Sequence, residues 1–445
     1  VYIKKMETIT DEKIYFNQSM GVNMNVNEGG KLVVHFGAWN REVEIGYSED
    51  IEENRMGISY SLMAPFTVPD DIDFEYRKEG NELHIGPVLG IVRGNNFPHL
   101  NRSRNILLPW VKDYHNIKGL VIIFPLSAVY EGAQSVKGFY YNPNNPQKRW
   151  EEGTFPFPSA VFNKKTGGVD KRYRRLFEEL TNGRFINSSG TGKWEFFSAL
   201  FNNPATKSKV PYTEKFLDFK QLFTILNKYG VLYLKRRYGS RGYGIIQVKK
   251  LENIYVVTRV LKNTQKKDQF ETEIELKSFL KGLITKNGYI IQQGVIYQAN
   301  HKQVDFRAYI QKDGSMEWKV SGFIGRLAKP NSVITNIRYT QKILPGKAAL
   351  KEFYGLEGEN ADKAAENIEK ACILAGQSMD INLGHFGDVA LDFILDSQGN
   401  VYFLEVNAGY GHKIFREIRD YELRERIFKS PLEYAKALAG FTTLI

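Results

Sequence analysis

Short runs in which apolar and polar residues alternate mark the first eighty residues: Lys31-Leu-Val-Val-His-Phe36 and Arg41-Glu-Val-Glu-Ile45 are bounded by Gly29-Gly30 and Gly37 and read as strands. A small β-rich domain over 1–83 is predicted. From His84 the texture becomes continuous, and Ile85-Gly-Pro-Val-Leu-Gly-Ile-Val-Arg93 and Gly119-Leu-Val-Ile-Ile-Phe124 have the apolar character of parallel strands covered on both faces. This predicts an α/β domain over 84–190. Residues 139–168, rich in Asn, Pro, Lys and Gly, read as a long connection on the surface or over a cleft. Helical spacing then returns at Phe216, Phe219, Leu222, Phe223 and Leu226, with Gly230 placed to stop the helix and a strand at Val231-Leu-Tyr-Leu234.

Three more strand-like runs follow at Tyr289–Gln293, Phe306–Gln311 and Trp318–Phe323, with a turn at Asp313-Gly314. A helix from about Ala361 to Met379 places Ala365, Ile368, Cys372, Ala375 and Met379 on one stripe, so Cys372 reads as a packed small hydrophobe. The whole is of α+β (α/β) class.

Composition narrows the possibilities. The chain of 445 residues is 42% hydrophobic and holds a single Cys, which describes a folded protein without an internal disulfide framework. No apolar run approaches the roughly 18–20 residues needed to span a bilayer, and the opening residues lack a signal-peptide pattern, so a cytoplasmic location is expected. Charge is uneven: residues 1–83 carry 8 Lys+Arg against 16 Asp+Glu, while the remainder carries 53 against 34. A basic body of this kind attracts polyanions: nucleic acid, nucleotide phosphates or an acidic polypeptide. Basic and aromatic residues interleave at Lys235-Arg-Arg-Tyr238 and Lys171-Arg-Tyr-Arg-Arg175, yet no nucleic-acid-binding motif accompanies them. The second run reads as a solvated helix face or a docking site for an acidic chain.

Two constellations carry chemistry. Lys235 stands at a strand end before a loop with Gly239, Gly242 and Gly244 in six residues, together with Ser240. Such a loop brings backbone N–H groups close to phosphate oxygens, since no Cβ intervenes, while the lysine supplies a point charge. Its spacing is neither that of a P-loop nor that of a Rossmann turn, and a flexible basic hairpin is the plain alternative. Near the C-terminus, Asp388-Val-Ala-Leu-Asp392 and Val401-Tyr-Phe-Leu-Glu405-Val-Asn407 flank a tight turn that sets Asp392 abreast of Glu405, with Asn407 on the face of Glu405. Three oxygen ligands then converge in a manner suited to Mg²⁺; the alternative is a hairpin with a polar solvent face.

Taken together, Lys235 with its glycine loop, Gln292-Gln293-Gly294-Val295, Asp305-Phe-Arg307, and Asp392 followed 13 residues later by Glu405-Val-Asn407 resemble the ATP-grasp superfamily. The sequence is most similar to the YheC/YheD-type endospore coat-associated ATP-grasp proteins, through Ile85-Gly-Pro-Val-Leu-Gly-Ile, Phe155-Pro-Phe-Pro158, Gly192-Lys193-Trp194 and Trp318-Lys-Val-Ser-Gly322 followed by Arg326. The resemblance covers about 84–415. It implies an ATP-grasp fold with a small lobe over 191–285 and a large lobe over 286–445, preceded by the α/β and β-rich domains. It also implies ATP and Mg²⁺ as cofactors and an acyl phosphate passed to an amine, with ADP and phosphate released. By matching motifs, Lys193 and Lys235 contact phosphates under the Gly239–Gly244 loop, and Gln293, Gly294 and Val295 form the adenine hinge. Asp305 contacts the ribose, Arg326 and Asn336 attend the phosphate end, and Asp392, Glu405 and Asn407 hold Mg²⁺. Spore association follows from the family's name.

Arg307 alternates away from Phe306 and Ala308 and has two readings, a substrate or phosphate contact and a structural partner for Asp305 or another acid in the strand layer. Where many relatives have a glycine pair after Asn336, this chain has Ile337-Arg-Tyr-Thr-Gln341, and the metal strand ends in Ala-Gly-Tyr-Gly-His412 where proline is common. These departures make Arg338, Tyr410 and His412 candidate substrate-specificity residues. The expected partners are a carboxylate and an amine, with an acidic peptide or protein as one form of substrate; residues 1–83 could dock a partner or a second copy. A catalytically idle nucleotide-binding coat protein and a kinase using the same cleft are the competing functions.

Overall fold

A computed structural model describes every residue except 7–10, 166, 240, 241, 263, 296, 300, 301, 412, 413, 415–417, 419 and 442–445. It divides into two compact units: Val1–Gly190 with Lys312–Glu317 and Glu425–Ile445, and Thr191–Gln311 with Trp318–Arg424.

The first unit contains two sheets. One has seven strands in the order Tyr2–Met6, Arg55–Ser59, Lys13–Phe16, Trp39–Tyr47, Lys31–Phe36, Glu82–Gly86 and Glu75–Glu79. Its alternation is literal, with Leu32, Val34 and Phe36 buried in the core and Lys31, Val33 and His35 on the other face. The continuous apolar run predicted from Ile85 is shared between sheets: Ile85 and Gly86 close the Glu82–Gly86 strand, whereas Val88–Val92 is a fully buried strand of the second sheet, parallel to Leu120–Phe124 and to Ala160–Asn163. The connection expected over 139–168 is instead a β-hairpin, Ser135–Tyr141 against Trp150–Pro156, followed by the Ala160–Asn163 strand. Phe155 and Phe157 are fully buried, and their burial outweighs the loop-like composition of the Asn- and Pro-rich turn around them.

The second unit builds on two antiparallel sheets. The smaller-lobe sheet runs Thr213–Lys215, Tyr289–Gln293, Val231–Arg236, Ile246–Lys250, Tyr255–Val260, Gln265–Phe270. Helices Phe219–Tyr229 and Glu273–Lys281 cover one face, burying Leu222, Leu226, Leu276 and Leu280 against Leu232, Leu234, Val257 and Ile291. The first helix is capped by the Asp218 side chain and ends at Gly230, whose φ of 71° suits glycine. Phe216, predicted to open that helix, lies before its cap and packs in the same core.

The second sheet runs Thr340–Pro345, Trp318–Ala328, Lys302–Lys312, Asp388–Leu395, Val401–Asn407. Helices Lys193–Phe201, Gly346–Tyr354 and Gly358–Asn382 bury its apolar face, on which Phe306, Ala308, Ile310, Leu391 and Phe393 sit. The long helix contains the predicted stripe, and Cys372 is fully buried in it. With a period of two, the residues between those apolar positions, Asp305, Arg307 and Asp392, face the opposite side.

Candidate active site

The same alternation equips the smaller-lobe sheet. Since Leu232 and Leu234 face its helices, Tyr233 and Lys235 face away from them, and both line a cleft of about 890 Å³ counted to its open mouth. From the other sheet the cleft receives Asp305, Arg326, Asp392 and Glu405; Lys193, Gly239, Gly242, Gln293, Val295 and Asn336 complete its charged and backbone-rich walls.

Glu405 reaches the cleft through a β-bulge. Val401 and Phe403 pack in the apolar core, and strict alternation would send Glu405 there with them. Between the pairs Asp392↔Glu405 and Phe393↔Phe403 the register shifts by one residue, so that both Leu404 and Glu405 reach the cleft while Val406 returns to the core. The bulge is what stands Glu405 beside Asp392.

A chain of four alternating charges runs along this wall of the cleft and behind it. Arg307 donates to both oxygens of Asp392 at 2.7 and 2.8 Å, and Arg326 donates to both oxygens of Asp305 at 2.7 Å each. The Arg326 guanidinium also lies 3.4 Å from Asp392, and the Thr335 hydroxyl donates to Asp305. Burial pushes the Asp392 carboxyl up, but the two guanidiniums outweigh it and hold the group well below the usual carboxylate range. Of the two readings of Arg307, the geometry gives it a carboxylate partner in the strand layer, Asp392. Arg307 is absent from the cleft lining.

The lysines are arranged differently. Lys235 is buried and donates to Gln292 Oε1 at 2.6 Å; Gln292 is oriented by donating its amide to Thr213 Oγ1 at 3.1 Å. Among the described residues no carboxylate forms an ion pair with Lys235, and burial pushes its ammonium down to about 8. Lys193, at the start of its helix, donates to the Gly239 carbonyl at 2.9 Å and lies 3.5 Å from Glu405. It thus ties the glycine loop to the acidic strand. Gly242, at φ 74°, packs so closely that a Cβ would meet the Asn336 amide at 3.1 Å.

Other predicted residues are placed as follows. Gly294 donates its N–H to Val231, Gly244 borders a shallower depression beside Tyr243 and Arg236, and Asn407 lies outside the lining with its amide 3.4 Å from Asp392. Arg338 donates to the Lys262 carbonyl, and the buried Tyr410 hydroxyl donates to Asp388 at 2.5 Å; neither lines the cleft. Ser240 and His412 lie outside the described residues. Sequence reasoning missed Glu195, which accepts from Arg237 at 2.5 Å and from Tyr238 at 3.1 Å and so fixes the root of the glycine loop. Its signal was available, since a Glu three residues after Gly192 is an N-terminal helix pattern.

The donor set fits a nucleotide with a hard cation. A buried ammonium without a carboxylate in ion-pair contact suits an anionic ligand, and the cleft-facing carboxylates of Glu405 and Asp392 supply the oxygen chemistry that Mg²⁺ prefers.

Comparison with known proteins agrees with this donor set. The family model described as YheC/D like ATP-grasp matches residues 182–438. The endospore coat-associated protein YheD of Bacillus subtilis (strain 168) is 22% identical over 430 residues, covering 93% of this chain and 92% of the relative. YheC of the same organism, also endospore coat-associated, is 20% identical over 297 residues, 65% of this chain and 80% of the relative. Among solved structures, the VanG D-Ala:D-Ser ligase from Enterococcus faecalis aligns over 80% of this chain and 99% of its own at 14% identity, with a TM-score of 0.45. The chain belongs to the YheC/D-like ATP-grasp family and has the mixed α and β fold of ATP-grasp proteins, and ATP and Mg²⁺ are the cofactors of that family.

Proposed function

We propose that this member of the YheC/D-like ATP-grasp family is a carboxylate–amine ligase that forms an amide bond on a peptide or a small anionic substrate. The observation that carries the reading is the juxtaposition, in one cleft, of the uncompensated Lys235 with the paired acids Asp392 and Glu405. ATP bound with Mg²⁺ would supply the phosphoryl group that activates the carboxylate. Lys235 and Lys193 would hold phosphate oxygens, Glu405, Asp392 and Asn407 the metal, and the Gly239–Gly244 loop would cover them and exclude water. Arg326, fixed by Asp305, offers positive charge toward the transferring group without moving, which is the condition for electrostatic stabilisation at low reorganisation cost. The carboxylate brings its own nucleophile, so no Ser, Cys or His is required, and Cys372 is buried away in the helical core.

Gln293 to Val295 would meet the base, Asp305 the ribose and Asn336 the phosphate end beside Gly242. Arg338, Tyr410 and His412 remain candidates for acceptor recognition. The names of the curated relatives extend the proposal to a role in or around the spore coat. Mass spectrometry of acids, amines and peptides incubated with the protein, ATP and Mg²⁺ tests the reading. Condensation products accompanied by ADP support it; a stable phosphorylated product would replace it with a kinase, and nucleotide binding without any turnover would replace it with an idle coat component.

A further inference from the structure

The first unit carries a second cluster of chemistry-bearing side chains that the nucleotide cleft does not use. His35 lies on the Lys31–Phe36 strand, and Glu82 and His84 lie on the Glu82–Gly86 strand parallel to it. His35 and His84 are direct cross-strand partners, and Glu82, two residues before His84, shares its face. The two imidazoles stack with centroids 4.2 Å apart and planes 13° from parallel. Both Nε2 atoms come within 3.5 Å of the same oxygen, Glu82 Oε2, and the three atoms all lie within 4.8 Å of one another.

This convergence exceeds what packing requires. His35 Nε2 is shielded from solvent yet has no partner of hydrogen-bonding geometry, so the Glu82 contact does not satisfy it. On the flanking strand Arg77 stands opposite His84, but its guanidinium is matched by Glu79 at 2.5 Å. We infer that His35, Glu82 and His84 form a binding site for a divalent transition-metal ion of the Zn²⁺, Ni²⁺ or Cu²⁺ class, open to water at its remaining positions.

The chemistry and dimensions agree. Two imidazoles and one carboxylate select borderline metals over Mg²⁺ or Ca²⁺. With metal–ligand bonds of about 2.0–2.1 Å, neighbouring ligands in a tetrahedron stand about 3.3–3.5 Å apart. Each histidine already holds that separation from Glu82, so binding needs only a rotation that swings the two Nε2 atoms together. The side chains are 25%, 54% and 22% exposed in chain order, which leaves room for it. An ion there would link two adjacent strands of the N-terminal sheet, apart from the proposed nucleotide chemistry.

Titration of the metal-free full-length chain with Zn²⁺, followed calorimetrically, and with Cu²⁺, followed by electron paramagnetic resonance, tests the site. The expected result is one saturable ion whose Cu²⁺ spectrum shows coupling to two imidazole nitrogens. His35→Gln and His84→Gln should each weaken it about 100-fold and Glu82→Gln about 10-fold, with circular dichroism of the metal-free variants unchanged. Should a histidine variant fail to fold, mapping of imidazole acylation in the unaltered protein gives the same information: Zn²⁺ should protect His35 and His84. Absence of saturable Zn²⁺ binding, a Cu²⁺ spectrum with oxygen ligands only, or affinity and protection indifferent to these two histidines would overturn the inference.

Discussion

Nucleotide binding above neutral pH should draw a proton onto Lys235. With its ammonium held at about 8, the residue is about nine-tenths charged at pH 7, about half at pH 8 and about one-tenth at pH 9 in the free protein. A triphosphate in contact with it restores the charged form, so binding should take up about half a proton at pH 8 and about 0.9 at pH 9. Calorimetric titration with a non-hydrolysable ATP analogue and Mg²⁺, repeated in buffers of different ionisation enthalpy, reads that uptake as a slope. The apparent Kd should rise about fivefold from pH 8 to 9 and about ninefold from pH 9 to 10. Lys235→Arg, charged at every pH used, should abolish the slope. Stability carries the same signature with a defined sign: the folded pKa is depressed, the unfolded chain binds more protons between about pH 8 and 10.5, and stability therefore rises across that window, by at most about 3 kcal/mol. A zero slope at pH 8–9, or an equal slope in Lys235→Arg, would refute the assignment of Lys235 as the anion-binding group.

Four further outcomes are expected. Glu405→Gln should lower turnover on the order of 10²-fold at fixed Mg²⁺ and shift half-saturation to higher Mg²⁺, as measured by ADP release, because it removes a cleft-facing charged oxygen. Arg307→Met leaves Asp392 with its longer contacts to Arg326 and Asn407, both at 3.4 Å, and should cost about 3–5 kcal/mol in urea unfolding. The Arg307→Met/Asp392→Asn pair should cost less than the sum of its parts. Gly242→Ala forces a side chain onto φ 74° and against Ile334 and Asn336, so KM for ATP should rise severalfold while stability falls by only about 1–2 kcal/mol, since the strain is confined to a loop.

Much of this site was legible because it rests on period-two alternation. The apolar residues Leu232 and Leu234 dictate that Lys235 faces away from the helices, and Phe306 and Ala308 do the same for Asp305 and Arg307. The pairing of Asp392 with Glu405 was legible from the turn between their strands, but the bulge at Leu404 was not: a strict reading of Phe403 and Glu405 puts them on one face. The choice of partner by each guanidinium was also hidden, because bidentate contact depends on register across three strands. Composition misled over 139–168, where asparagine and proline belong to a turn whose flanking phenylalanines are buried. The histidine pair of the N-terminal sheet was invisible for a related reason, since His35 and His84 are 49 positions apart in sequence and meet only through the parallel register of their strands.

The two sheets lining the cleft handle charge in opposite ways, and the contrast determines where a ligand gains most. On the sheet that carries Asp392, Arg307 and Arg326 are each committed to a carboxylate by two hydrogen bonds, with Arg326 bridging to the second acid. Four charges withdrawn from water are tolerable when they neutralise and satisfy one another, and such a network forms a stiff surface. On the facing sheet Lys235 donates to the neutral Gln292, itself anchored on Thr213, and lies 5.6 Å from the centre of the Tyr233 ring, so the ammonium is held in position without a carboxylate in ion-pair contact among the described residues. A polyanion therefore gains most beside Lys235, whereas a cation gains most beside Glu405, which has Lys193 as its nearest opposing charge at 3.5 Å. A metal-bound phosphate chain satisfies both at once by lying between them. Tyr233, Ile245, Val295 and Ile394 supply apolar surface for a base in the same cleft. An isolated phosphate or an isolated metal ion would leave one side uncompensated, which is why the arrangement favours the two together, and why Mg²⁺ and nucleotide should bind with positive coupling rather than independently.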